Sequence, residues 1–218
     1  MKQEEQIVAV KKYTIAKLGQ DKTGHGMDHI NRVVRMARRL AAGEGVDPFL
    51  PVVAAYLHDT IDEKLVDSIP AAEQELRDYL SAHDFTEDQV ATIMDTISNI
   101  SFAHTLDGVP IHLSIVGKIV RDADWLDAIG ALGITRAIFY GGGHHEKIYD
   151  PAIKPRQNMN REEYRNLADE TIINHFYEKI LKLSAMLQTP TARQIAAHRQ
   201  QVMLDFLAEF KAEWNAEK

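Results

Sequence analysis

Cysteine is absent from this sequence. That removes disulfides, thiolate zinc sites and a cysteine nucleophile together, so any metal must be held by histidine and carboxylate. Long hydrophobic runs are also missing, and none approaches the roughly 20 residues that a membrane-spanning helix requires. The opening MKQEEQIVAVKKY has acids early and only a short apolar piece, unlike a secretory signal. These features suit a reducing compartment, and the cytoplasm is the expected location. Basic excess is lacking too: the formal net charge is −7. Broad nucleic-acid binding is driven by basic residues that neutralise phosphates, so nucleic acid is disfavoured as a partner. A locally basic pocket for a small phosphorylated substrate is still compatible with that charge.

What is present reads as helix. With 218 residues, 45% hydrophobic and 26% charged, the composition is that of a folded globular chain. HINRVVRMARRLAA, residues 29 to 42, sets Ile30, Val33, Val34, Ala37 and Leu40 at helical spacing, with Asp28 as N-cap and Gly43 and Gly45 as the stop. A second helix is expected over 48 to about 62, and others over 71 to 82 and 88 to 100. VPIHLSIVGKIV, 109 to 120, is ambiguous between strand and helix. RDADWLDAIGALGITRAIFY reads as one helix with close contacts at Gly130 and Gly133. Residues 141 to 160, dense in Gly and Pro, read as one long loop. Two helices, roughly 161 to 187 and 190 to 215, close the chain. Without repeats or a linker, the economical architecture is one all-α domain over 1–218, a helical bundle whose motifs fall in 25–130 and whose helices over 161–215 pack on it.

Three stretches put polar ligand types on faces that are otherwise apolar. In GHGMDHI, His29 stands four residues before Val33 and shares its inward face. In AYLHDTIDEK, an apolar lead-in ends on His58 and Asp59, and a continuing helix would bring Asp62 onto the same face. Burying such groups is costly unless each finds a partner. In RDADWLDAIG, Asp124 turns inward between Val120 and Ala128, Asp127 shares that face, and Asp122 is better suited to capping. Two imidazoles with carboxylates form a mixed nitrogen and oxygen set that suits Mn²⁺, Fe²⁺, Ni²⁺ or Mg²⁺. An open coordination position is what metal-assisted hydrolysis requires.

The motifs GHGMDHINRV, LHDTIDEK, ISNISF, KIVRDADWLDAIGALGITRAIFYGG and IYDP, with the tail AAHRQQVMLDFLAEFKAEW, together resemble the HD-domain superfamily of metal-dependent phosphohydrolases, in its small stand-alone bacterial branch. The resemblance runs over nearly the whole chain. It implies the all-α, phosphodiesterase-like bundle of that superfamily and one bound divalent ion. The ligands it implies are His29, His58, Asp59 and Asp124, with Asp124 selected over Asp122 because it follows a small residue in the third motif. The family's next position is basic, whereas here it is Trp125, which removes the contact an Arg would supply. Related hydrolases carry an acidic pair just after HD that orients the attacking water. Asp62 and Glu63 stand there in reversed order, so Asp62 is expected to align or activate the water, with Glu63 beside it.

Phosphoryl transfer also needs positive charge around the transferring group. Arg32, Lys64, Lys118 and His25 are the expected substrate contacts. The expected reaction is pyrophosphate release from a nucleoside triphosphate, with a phosphodiesterase or nucleotidase of the same fold as the alternative. A nucleotide- or nucleic-acid-binding regulator using the face of Arg32, Arg35 and Arg39 is the non-enzyme alternative. GGGHHEK lacks the strand, turn and spacing of a phosphate-binding fingerprint. A homo-oligomer is compatible with all of this.

Overall fold

The computed structural model describes every residue of the chain except 22, 23, 63, 64, 107, 109 and 167–169. Among the described residues the architecture is all-α, with a single isolated bridge between Lys147 and Thr171 in place of any strand. The chain divides into two compact units, Met1–Asp124 and Trp125–Lys218.

In the first unit, α1 (Gln3–Leu18), α2 (Met27–Gly43), α3 (Phe49–Leu57), α4 (Ile69–Ala82) and α5 (Glu87–Asn99) are followed by a 3₁₀ turn at Phe102–Leu106 and by α6 (Ile115–Asp127), which runs through the unit boundary. The organising element is α3. Phe49 and every residue from Pro51 to Leu57 are buried, so it is apolar all round, as a helix must be when covered on every side. It packs against α1, α2 and α5. Helix α2 is strongly two-sided: His29, Ile30, Val33, Val34, Ala37, Leu40 and Ala41 form its buried stripe. Helix α5 starts on a capping box in which the Thr86 hydroxyl accepts from Gln89 N–H and the Gln89 side chain accepts from Thr86 N–H.

Helix α3 stops at Leu57, five residues short of the end expected from sequence (Asp62). The reason is local. A helix leaves its last carbonyls without intrahelical partners, and here three consecutive ones are taken by side chains. His58 Nδ1 donates to the Ala55 carbonyl at 2.9 Å. The Thr14 hydroxyl of α1 lies 3.0 Å from the Tyr56 backbone carbonyl oxygen, and the Thr60 hydroxyl donates to the Leu57 carbonyl at 2.7 Å. The chain then turns: Asp62 N–H donates to the Asp59 carbonyl at 3.2 Å and Leu65 N–H to that of Asp62 at 2.8 Å.

Other boundaries also moved. Within the segment that was ambiguous between strand and helix, helix begins at Ile115, so Asp122 lies mid-helix and fully buried instead of capping an end. Asp28 is not the N-cap of α2: Gly26 is, and Asp28 sits in the first turn, paired with Arg32 at 3.0 Å. The expected long helix through residue 140 is two, because α7 (Gly130–Gly143) begins at a glycine with φ +76°, a conformation that L side chains rarely adopt.

In the second unit, α7 is followed by the short α8 (Arg161–Arg165), then by α9 (Ile172–His175), a π-helical turn (Phe176–Ile180) and α10 (Leu181–Met186) in direct succession, and by the long α11 (Pro190–Trp214). Helix α11 packs on α7 and α10. The stretch expected as one helix over 161 to 187 is thus broken, and helix returns at Ile172 with the Thr171 hydroxyl accepting from Asn174 N–H. The Gly-rich end of the expected loop belongs to α7, which continues through Gly143.

Candidate metal centre

Three elements of the first unit deliver the site. Helix α2 contributes His29, two residues inside its N-terminus and buried on the same stripe as Val33. The turn that ends α3 contributes His58 and Asp59. Helix α6 contributes Asp124. Their donor atoms converge. His29 Nε2 and His58 Nε2 are 3.2 Å apart. Asp59 Oδ2 is 3.6 Å from the first nitrogen and 3.3 Å from the second. Asp124 Oδ1 is 3.4 Å and 3.8 Å from the same two atoms. His29, His58 and Asp59 form a mutually close trio of ligand atoms, and Asp124 joins it across the two imidazoles.

The protonation pattern is set from outside the cluster. Because the Ala55 carbonyl can only accept, the His58 proton sits on Nδ1 and leaves Nε2 as a lone pair aimed at His29. A backbone carbonyl fixing a ligand's tautomer in this way is the common support for metal-binding histidines. Burial pushes the Asp59 carboxyl up. The electrostatic influence of the His58 imidazole, the hydrogen bond from His25 and the neighbouring rings of His25 and His29 oppose it and hold the group well below the usual carboxylate range. Asp59 is therefore an anion in a buried place. Among the described residues neither it nor Asp124 pairs with Lys or Arg; their ion-pair partners are histidines.

This donor set fits a divalent cation. For bonds of about 2.0 to 2.2 Å, neighbouring donors around one ion stand about 3.0 to 3.5 Å apart, close to the observed separations. Two imidazole nitrogens and two carboxylate oxygens match the mixed set preferred by Mn²⁺, Fe²⁺ or Ni²⁺ and tolerated by Mg²⁺. A cation there would also supply the charge that offsets desolvation of Asp59.

The other expected site residues are distributed around this centre. Asp62 is half-buried in the turn after Asp59; it does not lie one helical turn beyond His58, since α3 has ended. Glu63 and Lys64 lie outside the described residues. Arg32, on α2, is engaged with Asp28. Lys118 is half-buried on α6. His25 places Nδ1 2.8 Å from Asp59 Oδ2, a partnership that sequence reasoning did not see. The signal available was the pair of glycines flanking His25. Asp127 is paired with Arg136 at 3.0 Å in the second unit, and Trp125 is buried.

Comparison with known proteins shows the family. The HD domain family model matches residues 26–129, a span that holds all four converging residues. A Lactobacillus plantarum protein of known crystal structure is 49% identical, with a TM-score of 0.88 over 99% of this chain and 100% of that one. An HD-superfamily hydrolase from Bacillus thuringiensis is 35% identical, with a TM-score of 0.79 over 99% and 100%. YpgQ of Bacillus subtilis is 30% identical over 97% of this chain and 95% of its own, and its crystal structure in complex with ADP superposes with a TM-score of 0.77. The chain belongs to the HD superfamily, and within it to the hydrolases. No helix among the described residues is long and apolar enough to cross a membrane.

Proposed function

We propose that this chain is a metal-dependent phosphohydrolase that acts on a nucleotide, releasing pyrophosphate from a nucleoside triphosphate. The observation that carries the reading is the convergence of His29, His58, Asp59 and Asp124 donor atoms within 3.2 to 3.8 Å of the two imidazole nitrogens. YpgQ, a relative over nearly the whole chain, has been crystallised with ADP, which supports a nucleotide as the substrate class.

In this proposal His29, His58, Asp59 and Asp124 hold one divalent ion. Bound there, the ion supplies Lewis-acid polarisation of a phosphate oxygen and a lowered pKa for water. Asp62, in the turn beyond the ligands, orients the attacking water and accepts its proton at a carboxylate oxygen. The water oxygen bonds to the α-phosphorus, the bond to the bridging oxygen breaks, and pyrophosphate leaves with that electron pair. Glu63 assists Asp62, and Arg32, Lys64 and Lys118 offer positive charge to the phosphates.

The test is a panel of nucleoside and deoxynucleoside triphosphates and cyclic nucleotides with Mn²⁺-loaded protein, reading pyrophosphate and orthophosphate separately. Pyrophosphate and nucleoside monophosphate are expected in equal amounts. Orthophosphate alone, or a ring-opened monophosphate alone, would replace the reaction by that of a nucleotidase or a phosphodiesterase.

A further inference from the structure

We infer that His25 is a positioning residue for Asp59, holding the ligand oxygen of that carboxylate toward the imidazoles of His29 and His58. The inference rests on the metal-centre reading above and gives a part in it to a side chain outside the four ligands.

His25 Nδ1 stands 2.8 Å from Asp59 Oδ2. An ionised carboxylate only accepts, so Nδ1 carries the proton and donates it. The oxygen it meets is the same one that faces His58 Nε2 at 3.3 Å and His29 Nε2 at 3.6 Å. One lone-pair direction of Oδ2 is thereby committed to His25, and the remaining one is left for the space between the two imidazole nitrogens. The carboxylate cannot rotate away without breaking this bond.

The loop is built to hold His25 there. Its backbone N–H donates to Asp21 Oδ1 at 2.9 Å. Gly24 has φ +113°, a backbone conformation that excludes most side chains. A Cβ on Gly26 would lie 2.8 Å from the Asp21 carbonyl oxygen, so Asp21 meets both the His25 N–H and the close-packed glycine that follows it. Helix α2 then starts at once, with Ile30 N–H donating to the Gly26 carbonyl at 3.1 Å. One short segment therefore sets both His29 and the group that orients its co-ligand. The two rings lie edge to face, with centroids 6.4 Å apart. This accounts for GHGMDH as a unit: the glycines shape the turn, the first histidine orients Asp59, and the second stands among the donors.

The experiment is a titration of metal-free protein with Mn²⁺ in the absence of nucleotide, by calorimetry and by the free-Mn²⁺ paramagnetic signal. Wild type, His25→Ala, His25→Asn and Asp59→Ala are compared. Loss of a group that orients a ligand typically weakens metal binding about 10- to 100-fold, and that loss is expected for His25→Ala. In His25→Asn the amide nitrogen stands near the place of Nδ1, and most of the affinity should return. A purely structural role would instead lower the melting temperature of the metal-free protein and would not be rescued in this way. Wild-type Mn²⁺ affinity in His25→Ala, with only a raised KM for nucleotide, would make His25 a substrate contact and overturn the inference while sparing the metal centre. Failure of His25→Asn to improve on His25→Ala would overturn it as well. Absence of Mn²⁺ uptake by wild type, or undiminished uptake by Asp59→Ala, would remove the metal centre itself.

Discussion

Asp59 in the first unit and Glu178 in the second are both buried carboxylates, and their surroundings differ in kind. Glu178 is closed by the protein itself. Its Oε1 accepts the Arg156 backbone N–H at 2.8 Å, and its Oε2 accepts Arg156 Nε and Nη2 at 2.9 and 2.5 Å. The same guanidinium reaches the carbonyls of Glu163 and Asn166 and lies 3.3 Å from Glu170, whose other oxygen receives His175 Nδ1 at 2.6 Å. A fixed cation with five donors satisfies that cluster. Among the described residues no Lys or Arg pairs with Asp59. Its neighbours are imidazoles: His25 donates to it, while His58 turns a lone pair toward the same space, so acceptors gather on the side where a structural ion pair would place a fixed cation. A buried group of acceptors is stable only with a positive charge among them. Side-chain burial alone does not distinguish a site from a scaffold, whereas the identity of the facing atoms does.

That contrast can be broken at several points. The largest effect is expected at Asp62→Ala, which should keep Mn²⁺ affinity and lose about 10²- to 10⁴-fold in turnover; steady-state rates beside a metal titration separate the two quantities, and full turnover would remove Asp62 from the chemistry. Next comes Arg156→Ala. Glu178, at 1% side-chain exposure, would be left as an uncompensated buried charge, at a cost of about 3 kcal/mol. Urea denaturation reads that loss, and a change under about 1 kcal/mol would show the cluster to be dispensable. Mn²⁺ at 100 times its dissociation constant should stabilise wild type by about 2.7 kcal/mol. The shift should persist in Arg156→Ala and vanish in Asp59→Ala. The smallest effect is expected at the end of α3, where Thr60→Ala withdraws the hydroxyl from the Leu57 carbonyl and should cost about 1 kcal/mol, with Thr60→Ser restoring it.

The sequence was most legible where periodicity and chemistry conflict. His29 on the Val33 face, His58 and Asp59 closing an apolar run, and Asp124 among the apolar residues of α6 all stand out because a core stripe should not carry them. Those are the residues whose donor atoms meet in the structure. The all-α class was legible for the same reason, since most helices carry strong stripes. The end of α3 was not, because the side chains that take its last carbonyls come from Thr14, His58 and Thr60, and one of these is far away in sequence. The break before α7 was only half visible: Gly130 announced a special backbone, but its positive φ could not be told from close packing. Arg156, Glu170 and Glu178 were invisible, since nothing local links a loop arginine to carboxylates 14 and 22 residues later. His25 was noticed, but its contact with Asp59 was not, because a loop residue has no periodic face from which to infer its direction.

The four converging residues of the first unit are expected to hold one divalent cation. The direct measurement is the stoichiometry and affinity of Mn²⁺ binding to metal-free protein by calorimetry, for wild type, Asp59→Ala and Asp124→Ala. One ion per chain in wild type, lost in Asp59→Ala and weakened at least tenfold in Asp124→Ala, is the predicted result. Mn²⁺ binding of unchanged stoichiometry and affinity in both variants would contradict it.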